Sequence, residues 1–243
     1  MNNSVIVCEM ESYSSHKFII TCEHASNRVP DKYAHLFTDA KEVLSSHRGW
    51  DPGAIVLAYT IYKAVRAPIL SHPISRLLIE PNRSLHHPRL FSEFSKHLSN
   101  PEKENLINTY YLPYRKRAEE IIAATFTPTQ QVIHLGIHTF TPTLNETVRN
   151  FDIGLLYDPS RSAEKEFCKR WKQSLVRENT SLKIKMNQPY QGKSDGFTTY
   201  LRRRLGDHYL GIELEVNQRH FFDSGQHWGN LCRIISDSLL HIQ

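Results

Sequence analysis

The stretch Phe18-Ile19-Ile20-Thr21-Cys22-Glu23-His24-Ala25-Ser26 decides how the chain is read. Its first half is a short apolar run suited to a buried strand, and Asn27, Pro30 and Asp31 beyond it are loop residues. An acid and an imidazole therefore stand side by side where a strand ends. In open α/β sheets, ligands bind beyond the carboxyl ends of strands. Glu23 and His24 thus mark a candidate site if distant stretches supply complementary groups. Taken alone, the dipeptide reads equally well as a surface pair with no task.

Outward from this stretch, apolar runs and helical periodicities alternate. Helices are expected over 39–46 and 54–65, the second introduced by Pro52, a residue suited to the first turn of a helix. Strands are expected over 69–71 and, as an extended piece, 77–79. A further helix is expected around 90–98, and a long helical stretch over 101–124, with Pro113 marking a kink or a join because an interior proline costs ~3 kcal/mol. Strands follow at 131–137, with His138 just beyond, and at 152–157, 182–186 and 209–216. Helices are expected at 162–176, 198–205 and 227–242. Alternation of this kind predicts a three-layer α/β/α sandwich around a mixed, mainly parallel sheet. No linker or repeat interrupts it, so residues 1–243 are read as one domain, with 1–16 as a poorly ordered lead-in.

Hydrophobic residues at 40% and charged residues at 23% fit a soluble globular protein. There is no apolar run long enough for a membrane span, and the polar residues 1–17 do not read as a secretory signal. The four cysteines form no CxxC pair, which disfavours a thiolate zinc knuckle and fits reduced thiols in a cytoplasmic protein. A net charge of +5 raises the prospect of an anionic partner, either a small acidic substrate or nucleic acid. Nucleic acid is the weaker reading. Arg202-Arg203-Arg204 is a tight basic run, no aromatic residues interleave with it, and it reads as a solvated helix face.

Ionisable residues gather at the expected strand ends. His24 follows the first strand, Asp51 precedes the helix at 54, and His138 follows the strand at 131–137. Two imidazoles and a carboxylate from separate segments form a recognised catalytic metal set that leaves a position open for water. A metal held there lowers the pKa of that water from 15.7 to ~7. Glu213 and Glu215 share one face of the late strand, and a glutamate can serve as general base. The set has no local signature of the H-E-x-x-H kind. Each member also has an ordinary structural reading: hydrogen-bonded loop histidines, a helix-terminal acid at Asp51, and solvent-facing glutamates on an edge strand. Arg76, Arg83 and Arg149 add guanidinium forks suited to carboxylates.

Several blocks together resemble the N-formylglutamate amidohydrolase family. They are Cys22-Glu23-His24-Ala25-Ser26, Trp50-Asp51-Pro52-Gly53-Ala54, Ser75-Arg76 through Asn82-Arg83, and His138-Thr139-Phe140-Thr141-Pro142. Arg149 with Asp152-Ile153-Gly154, Asn187-Gln188-Pro189-Tyr190 and the strand at 212–216 complete the set. The resemblance implies a fold similar to the zinc-dependent exopeptidases and metal-assisted cleavage of the N-acyl amide of an acidic amino acid such as N-formyl-glutamate. It implies one divalent ion, zinc, on His24, Asp51 and His138, with Glu23 and His47 as alternatives for the third place. It further implies Glu215 as general base and Arg76, Asn82, Arg83 and Arg149 as carboxylate-binding residues. Two departures stand out: Glu80-Pro81 where the family often has aspartate, and Val216-Asn217 where it often has arginine. They leave open another N-acyl amino acid as substrate, or a non-catalytic protein that binds an anionic ligand on the same fold.

Overall fold

The computed structural model describes residues 6–8, 18–125 and 131–242. The first strands are β1 (Ile6–Cys8) and β2 (Phe18–Cys22), followed by α1 (Lys41–Ser45), α2 (Ala54–Val65) and β3 (Ile69–Ser71). Next come α3 (Asn100–Leu106) and α4 (Leu112–Thr125), joined by a π-helical turn over Ile107–Tyr111. Strand β4 (Val132–Phe140) leads into a small hairpin, β5 (Thr143–Leu144) and β6 (Thr147–Val148), and then β7 (Ile153–Leu156). The remainder is α5 (Ser162–Glu178), β8 (Ile184–Met186), α6 (Phe197–Leu205), β9 (Tyr209–Asn217), α7 (Arg219–Asp223) and α8 (Gly225–Leu240).

Seven strands form one sheet in the order β1-β3-β2-β4-β9-β7-β8. The central four, β3, β2, β4 and β9, are parallel. β1 joins β3 antiparallel, and β7 joins β9 antiparallel and carries β8 parallel to itself. This is the mixed, mainly parallel sheet that the alternation predicts.

Strand side chains alternate between faces, and the alternation decides where the site lies. Phe18, Ile20 and Cys22, with Ile133, Leu135 and Ile137 and with Ile212, Leu214 and Val216, pack into one buried cluster under α2, α5 and α8. The intervening residues face the other way, where Ile19, Val132 and Tyr209 pack with Tyr114, Ile121 and Ile122 of α4 and Phe197 and Leu201 of α6. Thr21, Glu23, His134, His138, Glu213 and Glu215 follow that second parity. A third cluster, including Tyr33, Ile74, Leu78, Leu90 and Leu106, fills the space beneath the long segment between β3 and α3.

Several expectations are corrected. Residues 77–79 are not a strand but a buried turn, because the Ser75 hydroxyl captures the Leu77 N–H at 3.2 Å. Residues 90–98 are turns rather than a helix. Ser92 and Ser95 direct their hydroxyls to the Leu77 carbonyl, and Ser92 also accepts from Phe94 N, an alternative to helical pairing. His138 lies inside β4, not beyond it. Strand β9 is interior, so Glu213 and Glu215 are not on an edge. Arg202 is not part of a solvated face: it is buried, bonding to Glu164 and to the carbonyls of Gly192 and Gly211 at 2.6–2.9 Å. Pro113, expected at a kink or a join, sits at the start of α4 directly after the π-helical turn, so of the two it marks the join. Apart from β1, the lead-in at 1–16 lies outside the described residues. No described helix is long and apolar enough to cross a membrane.

Candidate active site

Backbone pairing brings the site residues together. The register of β4 on β9 sets His138 directly beside Glu215, and Gly136 beside Glu213. β2 ends at Cys22, and the turn after it is pinned by Asp51 N donating to the His24 carbonyl at 2.9 Å. Thr139, next to His138, fixes the same loop from the other side. Its hydroxyl donates to the Pro52 carbonyl at 2.9 Å, and its N–H lies 3.3 Å from Asp51 Oδ2. Gly53 then starts α2 with φ +86°, a conformation that favours glycine. A Cβ there would also lie 2.8 Å from the Phe221 and Trp228 rings. Asp51 is thus held by a backbone turn that only glycine accommodates easily.

Three donor atoms converge. His24 Nδ1 and His138 Nδ1 are 3.1 Å apart, and Asp51 Oδ2 lies 3.3 Å from the first and 3.0 Å from the second. All three residues are buried. Donors around a tetrahedral zinc at ~2.0–2.1 Å stand roughly 3.3 Å from one another, so this triangle has the size a single ion requires. Of the three residues considered for the third place, Asp51 is the one whose oxygen meets both ring nitrogens. Glu23 lies behind His138, and His47 lines the cavity in front.

Each imidazole is backed by a carboxylate. His24 Nε2 is 2.6 Å from Glu80 Oε1. Arg76 Nη1, which can only donate, is 3.2 Å from His24 Nδ1, and in the neutral ring this favours a lone pair on Nδ1 and the proton on Nε2, toward Glu80. His138 Nε2 is 3.2 Å from Glu23 Oε2, within ion-pair reach but off the line of a hydrogen bond. Glu23 in turn accepts from the Tyr114 hydroxyl at 2.8 Å. Carboxylates in these positions orient metal-binding histidines and raise their basicity.

The electrostatics match a cation. Burial pushes the Glu23 carboxyl up, but His138 outweighs it and brings the value down to about 2. Burial likewise opposes ionisation of Asp51 and Glu80, yet His24 and His138 hold the first, and Arg76 and His24 the second, well below the usual carboxylate range. Against burial, Asp51 and Glu23 raise His138 well above the ordinary imidazole value. Three ionised carboxylates against the one guanidinium of Arg76 leave an excess of negative charge that a divalent ion, or a proton on His138, offsets. The donor set fits such an ion. Glu215 differs: burial, reinforced by Asp51 and Glu213, pushes its carboxyl up to about 8, although His138 and Arg76 pull the other way. Its Oε2 is buried without a hydrogen-bond partner.

The donors open into a cavity of about 780 Å³. Arg76, Asn82 and Arg83 line it, whereas Arg149 does not. Arg76 is bound to Glu80 through Nε at 2.7 Å and Nη2 at 2.5 Å. Asn82 Oδ1 accepts from Phe197 N at the start of α6, at 2.7 Å. Arg83 donates to the Asp195 carbonyl. Arg149 stands beside the lining residues, its Nη1 3.3 Å from the Thr141 carbonyl and its guanidinium 5.7 Å from the Phe140 ring and 5.2 Å from the Tyr190 ring. Asn217, at the departure from the family pattern, donates to the carbonyls of Arg149 and Phe151. Sequence reasoning missed Glu80 as the partner of His24, though the i, i+4 spacing of Arg76 and Glu80 was a usable signal. It also missed the cavity residues Arg48, His87 and Arg89, and Tyr114, for which the chain carries no local sign.

Residues 16–222 match the family model described as N-formylglutamate amidohydrolase. A crystal structure of a gene product from Agrobacterium tumefaciens is similar at a TM-score of 0.75 and 26% identity, over 94% of this chain and 92% of that one. The crystal structure of N-formylglutamate amidohydrolase from Ralstonia eutropha is similar at a TM-score of 0.72, over 98% of this chain and 96% of that one. At 15% identity this second likeness speaks for the fold alone. A search of curated proteins by sequence finds no match.

Proposed function

The chain belongs to the N-formylglutamate amidohydrolase family, and from that premise we propose that it uses one zinc ion to hydrolyse the N-acyl amide of an acidic amino acid, such as N-formyl-glutamate. Family membership makes it a hydrolase acting on amide bonds. The observation that carries the metal-dependent reading is the buried triangle of His24 Nδ1, Asp51 Oδ2 and His138 Nδ1, with a carboxylate behind each ring.

His24, Asp51 and His138 would hold the ion. A divalent ion there supplies Lewis acidity toward a carbonyl oxygen and lowers the pKa of water from 15.7 to ~7. Glu215 acts as general base: its carboxyl borders the donors across the β4–β9 register and keeps an unpaired oxygen. Without a bound metal ion, a carboxyl pushed up to about 8 is mostly protonated at neutral pH, even with His138 and Arg76 pulling it down. Added positive charge favours its ionised form, which then takes a proton from water and returns it to the leaving amine. Water's hydroxyl ends on the acyl carbon, the C–N bond breaks, and the products are a carboxylic acid and an amino acid. Arg83 receives a substrate carboxylate from the cavity wall, while Arg76 keeps Glu80, and through it His24, in place.

The test is zinc-loaded protein assayed with N-formyl-glutamate alongside Glu215→Gln. The variant is expected to keep one zinc per chain and to lose about 10²- to 10⁴-fold in kcat. Wild-type turnover by the variant removes Glu215 as base. Protein that takes up no zinc and hydrolyses nothing would sink the metal-dependent reading and leave the anion-binding alternative.

A further inference from the structure

Resting on the amidohydrolase reading, we infer that the preferred acyl group is larger and less polar than formyl: an aromatic or branched acyl chain, seated against Leu144 and Tyr190. The cavity, at about 780 Å³, lies within the roughly 300–1,000 Å³ typical of sites that enclose drug-sized ligands. A formylated amino acid occupies only a small part of such a space, so the character of the remaining wall decides what fills it.

Apart from His47 and from Arg48, which pairs with Glu93, the cavity groups able to hold carboxylates come from one stretch of chain. Arg76 is committed to Glu80, and Arg149 lies outside the lining altogether. Asn217 is turned into the backbone. Arg83, His87 and Arg89 remain on the wall, all from the loop after Glu80, and Arg89 is exposed. The amino-acid end of the substrate is therefore placed at this loop.

A second stretch of wall is apolar. Leu144 comes from the β5–β6 hairpin and Tyr190 from the loop after β8, while Phe140, at the end of β4, is buried against Phe151 and supports this wall rather than presenting surface. Tyr190 is 46% exposed although its ring is fixed by the Arg149 guanidinium at 5.2 Å, which also lies 5.7 Å from the Phe140 ring. An aromatic ring held in place yet left this open offers a contact surface to whatever enters the cavity. A formyl group has no carbon beyond its carbonyl to set against that surface, whereas a phenyl or branched alkyl group does. The reaction is unchanged: the amide C–N bond breaks, water supplies the hydroxyl of the released acid, and the proton goes to the amine.

The experiment compares kcat/KM of the zinc-loaded protein for N-formyl-, N-acetyl- and N-benzoyl-glutamate, with Tyr190→Ala and Leu144→Ala beside the wild type. The benzoyl substrate is expected to exceed the formyl one by about 10-fold or more, the order available from hydrophobic-pocket discrimination. Each substitution is expected to reduce the benzoyl-to-formyl ratio several-fold, mainly through KM. Formyl preferred by the wild type, or a ratio moved by neither substitution, overturns the inference and leaves the amidohydrolase reading standing. No hydrolysis of any of the three by protein carrying one zinc removes that reading, and this inference with it.

Discussion

Glu80 occupies an unusual place for a residue that departs from the family pattern. One oxygen meets His24 Nε2 at 2.6 Å and also accepts from Asn82 N at 3.0 Å, while the other pairs with Arg76. It is therefore both the partner that orients His24, a proposed metal ligand, and the anchor of the loop that carries Asn82 and Arg83. Glu80→Gln keeps an acceptor for His24 but removes the charge that raises its basicity and leaves Arg76 without its carboxylate. We expect zinc affinity to fall about 10- to 100-fold, the range seen when such supporting partners are lost, as read by competition with a chelator. Unchanged affinity would mean that Glu80 serves the loop alone. Of the residues in the site, His24, Asp51, His138 and Glu215 were legible because each stands near the end of a recognisable strand or the start of a helix. Glu80 and Tyr114 were not, since what they do depends on contacts spanning 56 and 91 residues of chain.

At the scale of elements, legibility followed punctuation. The helix over Ala54–Val65 and the strand over Ile69–Ser71 have the bounds expected of them, because Pro52-Gly53 opens the first and Ala67-Pro68 separates the two. The segment 77–98 was misread because its apolar spacing mimics a strand and a helix, while serine hydroxyls redirect its backbone. Nothing in the local pattern reveals that competition. The start of α2 carries a sharper consequence. Gly53 has φ +86°, and its added Cβ would meet the Phe221 and Trp228 rings at 2.8 Å. Gly53→Ala should therefore cost about 1–3 kcal/mol of stability and weaken zinc binding by displacing Asp51. Denaturant melts of metal-free protein measure the first effect and chelator competition the second. A variant as stable as wild type would contradict the strain assigned to this turn.

Across the whole molecule, two histidines outside the donor set are buried in the sheet region as neutral groups. His134 bridges Thr21 on β2 and Tyr209 on β9 at 2.6 Å each, and His72 bonds the Ile74 carbonyl at 3.1 Å. Burial lowers both to about 4 from 6.5. With folded values below unfolded ones, the unfolded chain takes up protons first as pH falls. Their contribution to stability is thus complete above about pH 6.5 and declines toward about pH 4, by roughly 3 kcal/mol for each group at most. His138, raised in the metal-free protein, has the opposite sign, so the comparison must be made between variants. In metal-free protein, His134→Asn should show a shallower loss of stability than wild type between about pH 6.5 and 4.5; equal slopes would refute the assignment.

The central claim is that three side chains from three separate segments, brought together by the parallel register of β2 and β4 and by the turn before α2, hold one ion. Anomalous scattering collected at the zinc edge from crystals of the zinc-loaded protein addresses this most directly. The account predicts one strong peak per chain, within coordination distance of His24 Nδ1, Asp51 Oδ2 and His138 Nδ1, and its loss in Asp51→Ala. A peak that avoids these atoms, or the absence of any peak from protein that hydrolyses its substrate, would contradict it.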